Sequence, residues 1–495
     1  MKTLFIILNI FLFTFQISAQ PLQRVAPEQV GMNSRHLTYA DQAIEKAINN
    51  KDIPGAVLAV VRHGKLAYLK AYGCKQTFPT REPMDTHTVF DMASVSKSIS
   101  TAICALILTE RGQLRLTDPV NLYLPAFSEE IRITDLLTHT SGLPAYAPVN
   151  KLVEQYGSPN PEGLIEYIAG CKPVFKPGSD FQYSCLNYIV LQHIIETISG
   201  QSLRNFAKAN IFDPLGMSHT DYCPTGEILE HCAPTEKQKD GSVLKGVVHD
   251  PLARIMNGGI SGNAGVFSDA NDLAILSAML LNDGEYNGHR ILSPLGVKAM
   301  RSIPRQVSAL GRSLGWDIFS PYASNHGDLF GPNTYGHTGY TGTSIILDPD
   351  SDTSVILLTN SVHPDDPCAL NPSGRQAGIG ENHVARFGLK PGQRGGNAGA
   401  VNRGTRHIGK RADFIVDNGS IGKTHARVFE HALAETSLAA QPDRRAVDLG
   451  HRRQEPVRSG LRLFIPAGGE GHGKAQKQKC KNFLHFDINM LFLVF

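Results

Sequence analysis

Two apolar hairpins far apart in the chain constrain its fold most. Gly55 to Gly73, GAVLAVVRHGKLAYLKAYG, reads as two strands around a His63-Gly64 turn. Residues 343 to 361, TSIILDPDSDTSVILLTNS, read as two more, turning through Asp348-Pro349-Asp350. Strands need partners, and the long interval between the hairpins carries helical rather than strand periodicity. One antiparallel sheet built from both pieces, with helices packed on it, satisfies both patterns. Ahead of the first hairpin, Leu37, Ala40, Ile44 and Ile48 recur at helical spacing and predict an amphipathic helix. The expected class is α+β, an antiparallel sheet flanked by helices.

The 495 residues exceed one average domain, so a catalytic unit plus further segments is expected. Residues 1–19 have one Lys, an apolar run and Ile17-Ser18-Ala19 before Gln20, the pattern of a cleaved signal peptide. Export, to a periplasmic or extracellular location, is therefore expected. No Cys follows the run and it is short for a span, so no stable membrane anchor is expected. Residues 386–495 hold 19 Lys+Arg against 9 Asp+Glu, whereas residues 1–385 hold 29 against 36. That shift, with Gly/Arg-rich stretches and short apolar stripes, marks 386–495 as a basic tail expected to be disordered, after a domain at 20–385. No nucleic-acid partner is expected for it. The eight cysteines have irregular spacings without a CxxC pair, which gives no zinc or redox signal and predicts no disulfide.

Nucleophilic catalysis needs a hydroxyl, a base beside it and donors for the developing oxyanion. Ser and Lys three residues apart on a helix share one face. The pattern SxxK occurs at Ser94/Lys97, Ser242/Lys245 and Ser420/Lys423, and context separates the three. Ser94 opens FDMASVSKSISTAICALILTERGQL, a helix expected to bury Ile99, Ile103, Leu106 and Ile107 and to stop at Gly112. Developing negative charge is stabilised at such a helix start. Ser242 lies in a polar turn and Ser420 in the tail. No GxSxG elbow or HExxH motif is present, which argues against an α/β-hydrolase and a metallohydrolase.

At Ser94 the chain resembles the serine beta-lactamase and penicillin-binding-protein superfamily, in particular the branch with class C beta-lactamases, D-alanyl-D-alanine carboxypeptidases and related esterases. The SxxK is its first motif. FKPGSDFQYSCLNY supplies the second, Tyr-x-Asn, with Tyr183 in register and Cys185 in place of Asn; GHTGYTGTS supplies the third, with His337, Thr338 and Gly339. ITDLLTHTSGLP, LGMSHT and GVVHDPLARIMNGGISGNAGVFSDANDLA also match, so the likeness spans about residues 30 to 362. It implies a beta-lactamase/transpeptidase-like fold, an antiparallel sheet of five or more strands flanked by helices beside a mainly helical region, and a Ser94 acyl-enzyme, with no metal or organic cofactor. Either Tyr183, beside an ammonium at Lys97, is the base, or a neutral Lys97 is the base and Tyr183 relays. The oxyanion hole would be the N–H groups of Ser94 and Tyr340. Gly339 would let the strand approach substrate, and His337 or Thr338 would bind a carboxylate or polar group. His139, in THTSG, is read as a loop-bonding residue.

Three departures bear on substrate. Cys185 offers weaker hydrogen bonds than an amide, which disfavours efficient beta-lactam hydrolysis more than turnover of small activated esters. His337 replaces Lys in the third motif, and an unperturbed His titrates at about 6.5, so fixed positive charge is weakened near neutrality and carboxylate-bearing substrates are expected to bind less well or with stronger pH dependence. After Asn360 the sequence is rich in breakers where the branch has a closing helix. The order of expectation is esterase, then D-alanyl-D-alanine carboxypeptidase on cell-wall peptides, then beta-lactamase. A catalytically weak binding or scaffold protein is the reading from outside the enzymes.

Overall fold

The computed structural model describes residues 20–305, 307, 312–320 and 329–366. The signal peptide expected at 1–19, the basic tail at 386–495 and most of the breaker-rich segment after Asn360 lie outside the described residues. In chain order the strands are β1 (Gly55–Arg62), β2 (Lys65–Gln76), β3 (Glu82–Pro83), β4 (Phe90–Asp91), β5 (Asp221–Tyr222), β6 (Val266–Ser268), β7 (Glu285–Tyr286), β8 (His289–Arg290), β9 (Tyr335–Thr338), β10 (Thr343–Asp348) and β11 (Thr353–Thr359).

Six of them form one antiparallel sheet in the order β3-β2-β1-β11-β10-β9. The two hairpins meet through β1 and β11, with Ala56 opposite Thr359 and Arg62 opposite Thr353. This is the junction of early and late hairpins that the sequence implies. His63 and Gly64 both have positive φ, 52° and 64°, the conformation a two-residue turn of right-handed twist requires. The later turn runs on to Asp352, at φ 51°.

Alternate residues of β1 face opposite sides of the sheet, and both sides are covered. Val57, Ala59 and Val61 join the main core with Ile345, Leu347, Ile356 and Leu358. Ala56 and Leu58 join Ala40, Ile44 and Ala47 of the helix Ser34–Asn49. That helix starts where Asn33 Oδ1 accepts the Arg35 N–H, an N-cap. Ala47, rather than the half-buried Ile48, completes its buried stripe.

The mainly helical region includes the helix Cys185–Ser199 and the stretch from Lys97 to Glu110, and it shares the main core. In the latter, Ile99, Ile103, Leu106 and Ile107 are all buried and Gly112, at φ 70°, follows its end. The first turns, Lys97–Ala102, are a π-helix, and Ile103–Glu110 is α-helical. A small second sheet, β4-β6-β5, leads from β4 directly into the Ser94 loop. No helix among the described residues is long and apolar enough to cross a membrane.

Candidate active site

The Ser94 loop is held in an unusual backbone conformation. Ala93 has φ 45°, left-handed for a residue with a Cβ. One carboxylate anchors it: Asp91 Oδ1 accepts the Ala93 N–H at 2.8 Å and Oδ2 accepts the His249 N–H at 2.7 Å. Burial pushes the Asp91 carboxyl up to about 6 against those two donors. The turn puts half-buried Ser94 at the N-terminal end of the helical stretch, and Lys97 three residues on, fully buried.

Lys97 Nζ has three acceptors around it. It donates to Ser94 Oγ at 2.9 Å, to the backbone oxygen of Asn263 at 2.9 Å and to Cys185 Sγ at 3.6 Å. It also lies 5.1 Å from the Tyr183 ring centroid. Burial alone would depress its pKa, but interaction with Cys185 and Tyr183, including a hydrogen bond to Tyr183, more than offsets this and raises it. The Ser94 Oγ and the Asn263 carbonyl, both accepting from Nζ, favour its charged form. Of the two proton routes that the sequence leaves open, a neutral Lys97 base is the one these contacts disfavour.

Tyr183 is positioned from below by His139. The Gln182 N–H donates to the His139 carbonyl at 3.0 Å, and the Ser184 N–H donates to His139 Nδ1 at 3.1 Å. The two rings lie 4.4 Å apart. Because Nδ1 accepts, the hydrogen-bond pattern places the His139 proton on Nε2. Burial, with Arg312 and Lys97 nearby, holds His139 well below the usual histidine range, so it stays neutral. This matches the loop-bonding role expected of it.

Cys185 opens the helix Cys185–Ser199 and is buried. Burial pushes its thiol up, against the opposing pull of Lys97 and Asn263. A neutral, enclosed thiol is a poor nucleophile.

The third motif sits at the sheet edge, His337 and Thr338 ending β9 and Gly339 and Tyr340 in the turn toward β10. It is fastened to the nucleophile loop. Thr341 Oγ1 donates to the Asp91 carbonyl at 2.7 Å and Thr343 Oγ1 to the Met92 carbonyl at 3.1 Å. A Cβ on Gly339 would lie 2.5 Å from Met92 O and 3.3 Å from Ala93 Cβ. The glycine thus lets the strand approach the nucleophile's own loop, a different close approach from the one expected with substrate. The Tyr340 hydroxyl donates to Asp366 Oδ2 at 2.8 Å, and its ring stacks on His249 at 5.5 Å.

Both ring nitrogens of His337 are engaged. Its Nδ1 donates to the Thr338 carbonyl at 2.8 Å, and its Nε2 accepts from Arg312 Nη2 at 3.1 Å. Burial first, then Arg312 and Lys97, hold it well below the usual histidine range. His337 is therefore neutral with both nitrogens engaged, which leaves half-buried Thr338 as the motif's better-exposed polar side chain. The permanent cation is Arg312, 1% exposed, paired with Asp317 at 2.9 Å and 5.4 Å from the Tyr183 ring.

Arg312 and Asn263 are the site residues that sequence reasoning missed. Asn263 acts on Lys97 through its backbone, which no side-chain motif reveals. Ser242, the rival SxxK serine among the described residues, donates to Asp240 at 2.6 Å in an exposed turn. The described cysteines, including Cys185, are all unbridged.

Comparison with known proteins gives the family. The family model described as Beta-lactamase matches residues 40–379. An N-acetylmuramyl-L-alanine amidase of Bacillus subtilis (strain 168) is 32% identical over 73% of this chain and 91% of its own length. A protein of Escherichia coli (strain K12), provisionally named a D-alanyl-D-alanine carboxypeptidase, is 29% identical over 73% of this chain and 92% of its own. Among solved structures, EstCE1, a hydrolase with promiscuous acyltransferase activity, superposes with a TM-score of 0.55 at 24% identity, covering 66% of this chain and 94% of its own. A class C beta-lactamase from Rhodobacter sphaeroides gives 0.53 at 23% identity, covering 66% and 95%. The last two likenesses bear on the fold.

Proposed function

This chain belongs to the beta-lactamase family of serine hydrolases, and on that premise we propose that it is an exported hydrolase working through a Ser94 acyl-enzyme, with small esters as its preferred substrates. The observation that carries the reading is Lys97 Nζ, held between Ser94 Oγ and the Asn263 carbonyl while facing Tyr183 and Cys185.

In this mechanism Ser94 Oγ forms a bond to the substrate carbonyl carbon. With Lys97 as the ammonium, Tyr183 in its phenolate form takes the Ser94 proton and passes it to the leaving alcohol or amine, which restores the phenolate. The N–H groups of Ser94 and Tyr340 receive the oxyanion; each such donor contributes on the order of 100-fold to 1,000-fold. Water, deprotonated by the same pair, then breaks the acyl ester and returns the proton to Ser94 Oγ.

Cys185 favours esters. The thiol 3.6 Å from Lys97 is a weak acceptor and a weak donor, so an amide substrate gains little positioning from it. A second reading, hydrolysis of cell-wall peptides, is favoured by the names of the two relatives, a D-alanyl-D-alanine carboxypeptidase and an N-acetylmuramyl-L-alanine amidase. The test is a panel of p-nitrophenyl esters, a chromogenic cephalosporin and D-alanyl peptides, run on protein beginning at Gln20 and on Ser94→Ala. Ester turnover that exceeds the other two and vanishes in Ser94→Ala supports the proposal. Dominant peptide turnover moves the second reading to first place, and inertness on all three removes the enzyme reading.

A further inference from the structure

The small sheet β4-β6-β5 brings three ligand-bearing segments to one end. In the antiparallel pairing Phe90 faces Ser268, and Asp221 faces Phe267. The beginnings of β4 and β5 therefore both lie beside the end of β6. His87 precedes β4, His219 precedes β5 and Asp269 follows β6. One donor atom from each of the three lies within 4.8 Å of the other two.

We infer that His87, His219 and Asp269 form a divalent-metal site suited to zinc, built on the edge of this sheet and separate from the Ser94 chemistry. His219 Nδ1 and Asp269 Oδ2 are 3.0 Å apart. Ligands of a tetrahedral zinc ion with bonds of about 2.0–2.2 Å stand roughly 3.3–3.5 Å apart, so an ion fits between these two with little movement. His87 must close by roughly 1.4 Å from the outer limit to meet the same ion, and as an exposed side chain it has the freedom to do so. Two imidazoles and one carboxylate with a position left open is a ligand set that zinc accepts.

The supports around these ligands are already made. Asp269 Oδ1 accepts the Asp272 N–H at 2.8 Å, and Asn271 Nδ2 donates to Asp269 Oδ2 at 3.2 Å and to the Thr86 carbonyl at 2.9 Å. Asn271 thereby ties the Asp269 carboxylate to the residue beside His87. The His219 backbone N–H is fixed on Asp272 Oδ2 at 2.8 Å. Such second contacts aim ligands at a metal. His231 lies near His219, ring centroids 6.0 Å apart, and its buried Nδ1 has no hydrogen-bond partner among the described residues. A plain His219–Asp269 ion pair accounts for neither His87 nor His231.

The experiment uses the full chain stripped with EDTA and titrated with Co2+, read by its visible ligand-field bands, then with Zn2+, read by metal content after desalting. The chain has 19 His, so variants must locate the ion. The expected result is one equivalent of tetrahedral Co2+, displaced by Zn2+. Affinity should fall in His87→Ala and His219→Ala by more than the ~10–100-fold that loss of an outer contact causes. His87→Ala removes an exposed side chain, so it keeps the test valid if His219→Ala does not fold, and its ester hydrolysis should match wild type. Absence of tetrahedral bands, or the same bands and stoichiometry in wild type and His87→Ala, overturns the assignment and leaves the ion pair or another histidine cluster as the explanation.

Discussion

Replacing Gly339 by Ala tests how the third motif is fastened to the nucleophile. The added Cβ would lie 2.2 Å from Thr343 Oγ1 and 2.5 Å from Met92 O, where ordinary contact begins at 3.4 Å. Thr343 cannot simply turn away without losing its bond to Met92 O, and Met92 O is backbone. The turn after β9 must therefore separate from the Met92-Ala93 segment by roughly 1 Å, a misplacement that costs about 100-fold when it falls on catalytic geometry. That is about 2.7 kcal/mol of transition-state stabilisation, because the Tyr340 and Ser94 N–H groups no longer converge. Gly339 does not need left-handed φ, so backbone strain is not the cause. The assay is kcat/KM on a p-nitrophenyl ester, with circular dichroism to show that the variant is folded. Thr341→Val, which loses the bond to the Asp91 carbonyl, is the milder companion, at about 1 kcal/mol or roughly 5-fold. A folded Gly339→Ala within about threefold of wild type would refute the fastening argument.

Cys185→Asn restores a side chain that both donates and accepts beside Lys97, and a recovered buried hydrogen bond is worth about 1–3 kcal/mol. The ratio of cephalosporin to ester kcat/KM should rise by at least about 5-fold, and an unchanged ratio would show that Cys185 does not set substrate choice. Burial, reinforced by Arg312 and Lys97, depresses the folded-state pKa of His337 far below 6.5. The unfolded chain therefore binds a proton there as pH falls below about 6.5 while the native state does not, and stability is lost on that side at about 1.4 kcal/mol per pH unit. His337→Gln should make the decline of stability between pH 6.5 and 5, measured by urea unfolding, shallower by that slope; parallel curves would place the His337 titration elsewhere.

The main sheet was legible because each of its long strands carries its own evidence. β1 and β2 are apolar on either side of a His63-Gly64 turn, and β10 and β11 flank Asp348-Pro349-Asp350. The small sheet was not legible, since β4 and β5 are two residues long and β6 is three, too short for any period to show. Ser94 and Lys97 were found from the SxxK spacing and its context, Tyr183 and Cys185 from the family resemblance, and the structure brings all four together. His337 was found through the resemblance, but its surroundings were not, because Arg312, which donates to its Nε2, lies in no recognisable motif. Asn263 escaped for a different reason: its carbonyl does the work, and every residue has one.

The most direct test of the central claim is to find which atom is acylated. Intact mass and peptide mapping after treatment with a fluorophosphonate should show one adduct per chain, on the peptide carrying Ser94, and none in Ser94→Ala. An adduct on Cys185, on Ser242 or on Ser420, or undiminished labelling and ester turnover in Ser94→Ala, would contradict the account.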